Sequence, residues 1–140
     1  MSRGLGDVYK RQDQCSAIIG TTDLTVLSGD DSLTLPMMSV GAEGVISVVG
    51  NLVPGPMIEL VEAAASGDFQ RARELHHRLF ALCSNMLSVA TNPIPIKAAM
   101  QMVGRDTGEL RLPMTPLDES QSRQLRETLS AFGIEAASLV

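Results

Sequence analysis

Residues 24–51 read LTVLSGDDSLTLPMMSVGAEGVISVVGN, two apolar runs that each open into a polar loop, with a short helical stretch between them. The first run, residues 24–27, is apolar and β-branched enough for a strand covered on both faces, and it gives way to Ser28, Gly29, Asp30 and Asp31. A helix is expected to start there. Asp30 or Asp31 can accept hydrogen bonds from the free amides of its first turn and sits at the positive end of its dipole, while Gly41 supplies a left-handed stop. Pro36 fits this helix badly. The second run, residues 44–49, is again β-branched, and Gly50-Asn51 turns the chain out before Pro54 and Pro56 open another helix. Parallel strands need such a crossover, and a single-helix crossover, repeated, leads to an open doubly wound sheet or a (β/α) barrel.

Beyond the second strand the pattern turns helical. One helix is expected over about 56–65, ended by Gly67. Asp68 then caps a long helix through Val89, with Phe69, Ala72, Leu75, Leu79, Cys83, Met86 and Leu87 along one stripe. Arg71, Arg73, Glu74 and Arg78 fall on the opposite face. Asn92-Pro93 and Pro95 break that helix and start another over 96–103, stopped by Gly104. The turn-rich loop 104–116 leads to a last helix over 118–132, with Leu125, Leu129 and Phe132 facing inward and Gly133 as its stop.

The chain has 140 residues, 44% of them hydrophobic and 19% charged, and a formal net charge of −5. Residues 1–12, MSRGLGDVYKRQ, are polar, set Arg3, Lys10 and Arg11 against Asp7, and lack the apolar core of a signal peptide. They read as foreign sequence, and without them the balance falls to −7. Such an acidic chain with no basic stripe argues against nucleic acid or an anionic membrane as partner. No apolar run reaches the roughly 18 residues that cross a bilayer, and a cytoplasmic location is expected. Cys15 and Cys83 lack metal spacing and read as free thiols of a reducing compartment. His76 and His77 are adjacent, so their side chains diverge by about 100° around a helix and cannot share one metal. Asp30 and Asp31 lack further oxygen ligands. No metal or cofactor is expected.

Four strings in this order, LSGDD at 27–31, GAEGVISVVGN at 41–51, NPIPIKAAM at 92–100 and LRLPMTPL at 110–117, resemble 4-hydroxy-tetrahydrodipicolinate synthase, also called dihydrodipicolinate synthase. The resemblance runs from about Asp13 to about Gly133. The first two strings also admit sister pyruvate-dependent aldolases such as N-acetylneuraminate lyase; the last two point to the synthase. The resemblance implies an α/β fold, the (β/α)8 barrel, which needs on the order of 250 residues. The chain is therefore expected to be a C-terminal fragment: residues 13–66 carry the last βα units, strands seven and eight, and residues 67–140 a helical C-terminal extension.

The family's chemistry, as the resemblance implies it, is a Schiff base between pyruvate and a lysine on strand six, in a string resembling KEATG, followed by attack on aspartate semialdehyde in lysine (diaminopimelate) biosynthesis. A strand-plus-helix unit of roughly 30 residues places that lysine near or before Met1. It and the family's tyrosine are absent here, so no catalytic residue is assigned and the fragment alone is expected to be inactive. Lys97 reads as a solvated helical lysine, and Lys10 is weaker still as a nucleophile. By motif match, Gly29 and Ile46 are the residues whose main-chain carbonyls face the pyruvate pocket. By physics alone Gly29 need only permit a turn and Ile46 fill a barrel interior. The resemblance also implies a homotetramer when full length. Two other readings stay open, a sister sugar-acid lyase and a non-enzymatic helical interaction module.

Overall fold

A computed structural model describes residues 3–135, with side chains from residue 12 onward. Helix α1 (Arg3–Thr21) comes first, then strand β1 (Leu27–Ser28), a 3-10 turn (Asp31–Leu33), helix α2 (Thr34–Met38) and strand β2 (Gly44–Val45). A second 3-10 turn (Val49–Asn51) leads to helices α3 (Pro54–Ala65), α4 (Phe69–Val89), α5 (Ile94–Met102) and α6 (Glu119–Phe132). The strands form a parallel two-stranded sheet with Leu27 opposite Gly44 and Ser28 opposite Val45. The strand–helix–strand order expected over 24–51 is present, and both strands are shorter than the runs that encode them. Among the described residues each strand has one neighbour, so pairing stops where the second side of the ladder would be needed. Leu24 is 68% exposed and Ile46 70%.

The crossover helix also differs from expectation. Residues 31–33 wind as a 3-10 turn, and the α-helix begins only at Thr34. That start accommodates Pro36, whose missing amide falls among first-turn donors that lack an intrahelical acceptor. Asp30 holds the N-cap position, yet its side chain makes no cap hydrogen bond, which corrects the capping role expected of it. Gly41 does stop the turn, at φ 110°.

Contacts divide the chain into two units, one of Met1–Ser47 with Ile58–His76, the other of Val48–Met57 with His77–Val140. In the first, α1 packs on α2: buried Cys15, Met37 and Ala42 gather Ile19, Val26, Leu33 and Val40 around them. Helix α1 crosses the boundary expected between residues 12 and 13 without a break. Helix α3 starts at Pro54, and Gly67 leaves it in the left-handed conformation, φ 81°. The Arg71 amide then donates to Asp68 Oδ1 at 3.0 Å, the cap expected for α4.

In the second unit, α5 packs on α6. Asp118 and Gln121 form a reciprocal capping box at the start of α6, and Gly133 ends it at φ 90°. Leu125 and Leu129 are fully buried, as the spacing requires. Arg105 Nη1 donates to the Leu52 carbonyl at 3.1 Å, and Gln121 Nε2 to that of Val89 at 3.1 Å. Along α4, residues 72, 75, 79, 83 and 86 are buried as expected, and Leu82 and Val89 join them. Phe69 and Leu87 are corrections: both are exposed, at the two ends of the stripe where helical drift turns them off the buried face.

Candidate functional site

The loops after the two strands leave the sheet side by side. The Ile46 amide donates to the Ser28 carbonyl at 2.9 Å, the bond that closes the Ser28–Val45 pair at the end of the ladder. Gly29 and Ile46 therefore stand next to each other just beyond the carboxyl ends of adjacent parallel strands, where α/β folds place their sites.

The loop at Gly29 is shaped by Ser28. Its buried hydroxyl donates to the Asp30 carbonyl at 2.8 Å and accepts from the Asp30 amide at 3.3 Å, so it clasps the chain on both sides of the glycine. Gly29 itself is not in the left-handed region, and a Cβ built there would meet no heavy atom within 4 Å. It lines a cleft of about 460 Å³ with Gln14, Cys15, Ile18, Val26, Leu27, Asp30 and Met37. Ile46 is not among the residues lining that cleft; its side chain stands out in solvent.

A second tie joins the two loops directly. The Ser47 hydroxyl donates to Asp31 Oδ1, sixteen residues away in sequence, and Asp31 is only 3% exposed. The Thr34 hydroxyl donates to the Asp31 carbonyl at 2.8 Å. Sequence reasoning missed this connection. The available signal was a hydroxyl at position 47 inside the otherwise apolar run GVISVV.

Lys97, expected as a solvated helical lysine, is instead half-buried and ion-paired. Its Nζ lies 3.2 and 3.4 Å from the two oxygens of Asp106. The Gly108 amide also donates to Asp106 Oδ1, at 2.9 Å, and this bond, with Lys97 behind it, holds the Asp106 carboxyl below its ordinary value. A committed ion-pair partner of this kind suits a structural lysine rather than a nucleophilic one. His77 is exposed, and among the described residues no three His, Cys, Asp or Glu side chains gather as a metal site. Nor is any single described helix long and apolar enough to cross a membrane.

The profile of the Dihydrodipicolinate synthetase family matches residues 3–132. The chain belongs to this family. The matched span begins within the segment read above as foreign. The 4-hydroxy-tetrahydrodipicolinate synthase of Methanocaldococcus jannaschii is 47% identical over 121 residues, which cover 86% of this chain and 42% of that relative. A crystal structure of dihydrodipicolinate synthase from Aquifex aeolicus superposes with a TM-score of 0.86 at 45% identity, covering 91% of this chain and 44% of that one. A dihydrodipicolinate synthase from Acinetobacter baumannii, described as chloride inhibited and complexed with pyruvate, superposes at 0.82 with 37% identity, over 92% and 43%. The chain thus spans a little over two-fifths of the length of these synthases. Its architecture is the C-terminal part of a (β/α)8 barrel, two adjacent βα units with the helical extension, as the four motif strings implied.

Proposed function

We propose that this segment serves a dihydrodipicolinate synthase that condenses pyruvate with aspartate semialdehyde in lysine biosynthesis, and that it contributes the Gly29 and Ile46 carbonyls as one wall of the keto-acid site. The observation that supports this is the parallel register of Ser28 with Val45, whose continuation brings Gly29 beside Ile46 just beyond the strand ends. Chemistry supports the same placement. A lysine amine adds to the pyruvate keto carbon and water leaves, giving a cationic iminium; loss of a methyl proton then gives the enamine carbon that attacks the aldehyde. Main-chain carbonyls are acceptors, so they suit the N–H⁺ of that iminium and would repel the pyruvate carboxylate.

In this reading the amine comes from outside these 140 residues, and the ion pair that commits Lys97 to Asp106 supports it. The relatives named above carry the synthase name, which favours this reading over a sugar-acid lyase. The paired strands favour it over a helical interaction module. Cytoplasmic location and a homotetrameric full-length enzyme remain part of the proposal. The test is steady-state turnover of the full-length protein that carries this segment. Formation of the heterocyclic condensation product from pyruvate and aspartate semialdehyde is the expected result, and its absence with both substrates saturating would overturn the assignment.

A further inference from the structure

We infer that Asp31 and Ser47 are a positioning pair that sets the plane of the Ile46 carbonyl for the bound keto acid. The inference rests on the function proposed above and deepens it.

A carbonyl cannot be aimed independently of the residue that follows it, because the C=O of one residue and the N–H of the next share one planar peptide unit. The Ile46 carbonyl therefore turns with Ser47. The Ser47 hydroxyl is fixed to Asp31 Oδ1, on the loop that also carries Gly29. Asp31 is itself held, 3% exposed, with Thr34 bonded to its carbonyl. At the neighbouring strand end the same logic operates with another serine. The Gly29 carbonyl shares its peptide with the Asp30 amide, which the Ser28 hydroxyl accepts. The Gly29 carbonyl thus shares its peptide with an amide held by a serine hydroxyl, the Ile46 carbonyl precedes a serine whose own side chain is anchored, and Asp31 links one loop to the other.

Burying a carboxylate, with its hydroxyl partner half-buried beside an apolar strand, is costly without return, and an apolar pair could fill the same space. The return here is directional. A hydrogen bond to a charged acceptor holds an angle that packing alone leaves loose.

The experiment compares wild type, Ser47→Ala, Ser47→Thr and the double variant Asp31→Ala/Ser47→Ala in the full-length protein, reading KM for pyruvate, kcat and thermal unfolding. Loss of the charged hydrogen bond in Ser47→Ala is expected to raise the pyruvate KM about tenfold or more, with a smaller change in kcat. Ser47→Thr, which keeps the hydroxyl, is expected to restore it. The double variant is expected to bind pyruvate no worse than Ser47→Ala alone, since the two residues act as one unit. An unchanged KM in Ser47→Ala, or a lowered unfolding temperature with KM intact, would overturn the inference while leaving the proposed function standing. A wild-type protein that does not use pyruvate would overturn both.

Discussion

Ser28 and Ile46 are joined across the sheet by an amide-to-carbonyl hydrogen bond of 2.9 Å, the last bond of the parallel ladder. That rung puts Gly29 in a position where neither its backbone angle nor any neighbouring atom requires a glycine. An approaching ligand would. Gly29→Ala in the full-length protein is therefore expected to leave the fold as stable as before, or more stable by about 0.4–1 kcal/mol through the unfolded chain. The same change is expected to raise the pyruvate KM. Calorimetry and steady-state kinetics on one preparation check both halves.

Acid should weaken the second unit through Asp106. Its carboxyl is held below 3.8 in the folded chain by the Gly108 amide first and by Lys97 second. A depressed folded value means the stabilisation is fully present above 3.8 and is lost as pH falls through the folded value. The unfolding temperature of wild type should exceed that of Asp106→Asn above pH 3.8, and the gap should close as the pH drops further. The pair touches solvent, so added salt should narrow the gap as well.

The 140-residue chain on its own presents Leu24, Leu27 and Ile46, at 68, 44 and 70% exposure, beside a sheet of only two strands. Apolar side chains next to unpaired strand edges invite association. Sedimentation velocity is expected to show concentration-dependent self-association, reduced in Leu24→Lys.

Two substitutions in α6 separate capping from packing. Asp118→Ala removes one half of the capping box and is expected to cost about 1 kcal/mol. Leu129→Ala, at a fully buried position, is expected to cost about 2–5 kcal/mol. Denaturant unfolding of the full-length protein measures both.

Helix boundaries were legible wherever one residue type decides them. Gly41, Gly67, Gly104 and Gly133 all adopt the left-handed conformation their positions in the pattern require, and Asp68 caps as expected. Strand length was not legible, because apolar β-branched runs at 24–27 and 44–49 report what a strand can bury, whereas pairing depends on neighbours far away in sequence. Helix α1 had no counterpart in the sequence reading, since its N-terminal half is polar and shows no stripe. At the proposed site, Gly29 and Ile46 were named through motif strings. Their rung, the Ser28 clasp and the Asp31–Ser47 tie are long-range or side-chain geometry that periodicity does not carry. Lys97 was misread for the same reason: its partner Asp106 lies nine residues on, beyond the end of its helix.

The central claim is that this segment lines a pyruvate site whose attacking amine lies elsewhere in the protein. Incubating the full-length protein with pyruvate and borohydride, then mapping the reduced adduct by peptide mass, tests it most directly. The account predicts one modified lysine outside these 140 residues, and no adduct when the 140-residue chain is treated alone. An adduct on Lys97 or Lys10, or none anywhere in the full-length protein, would contradict it.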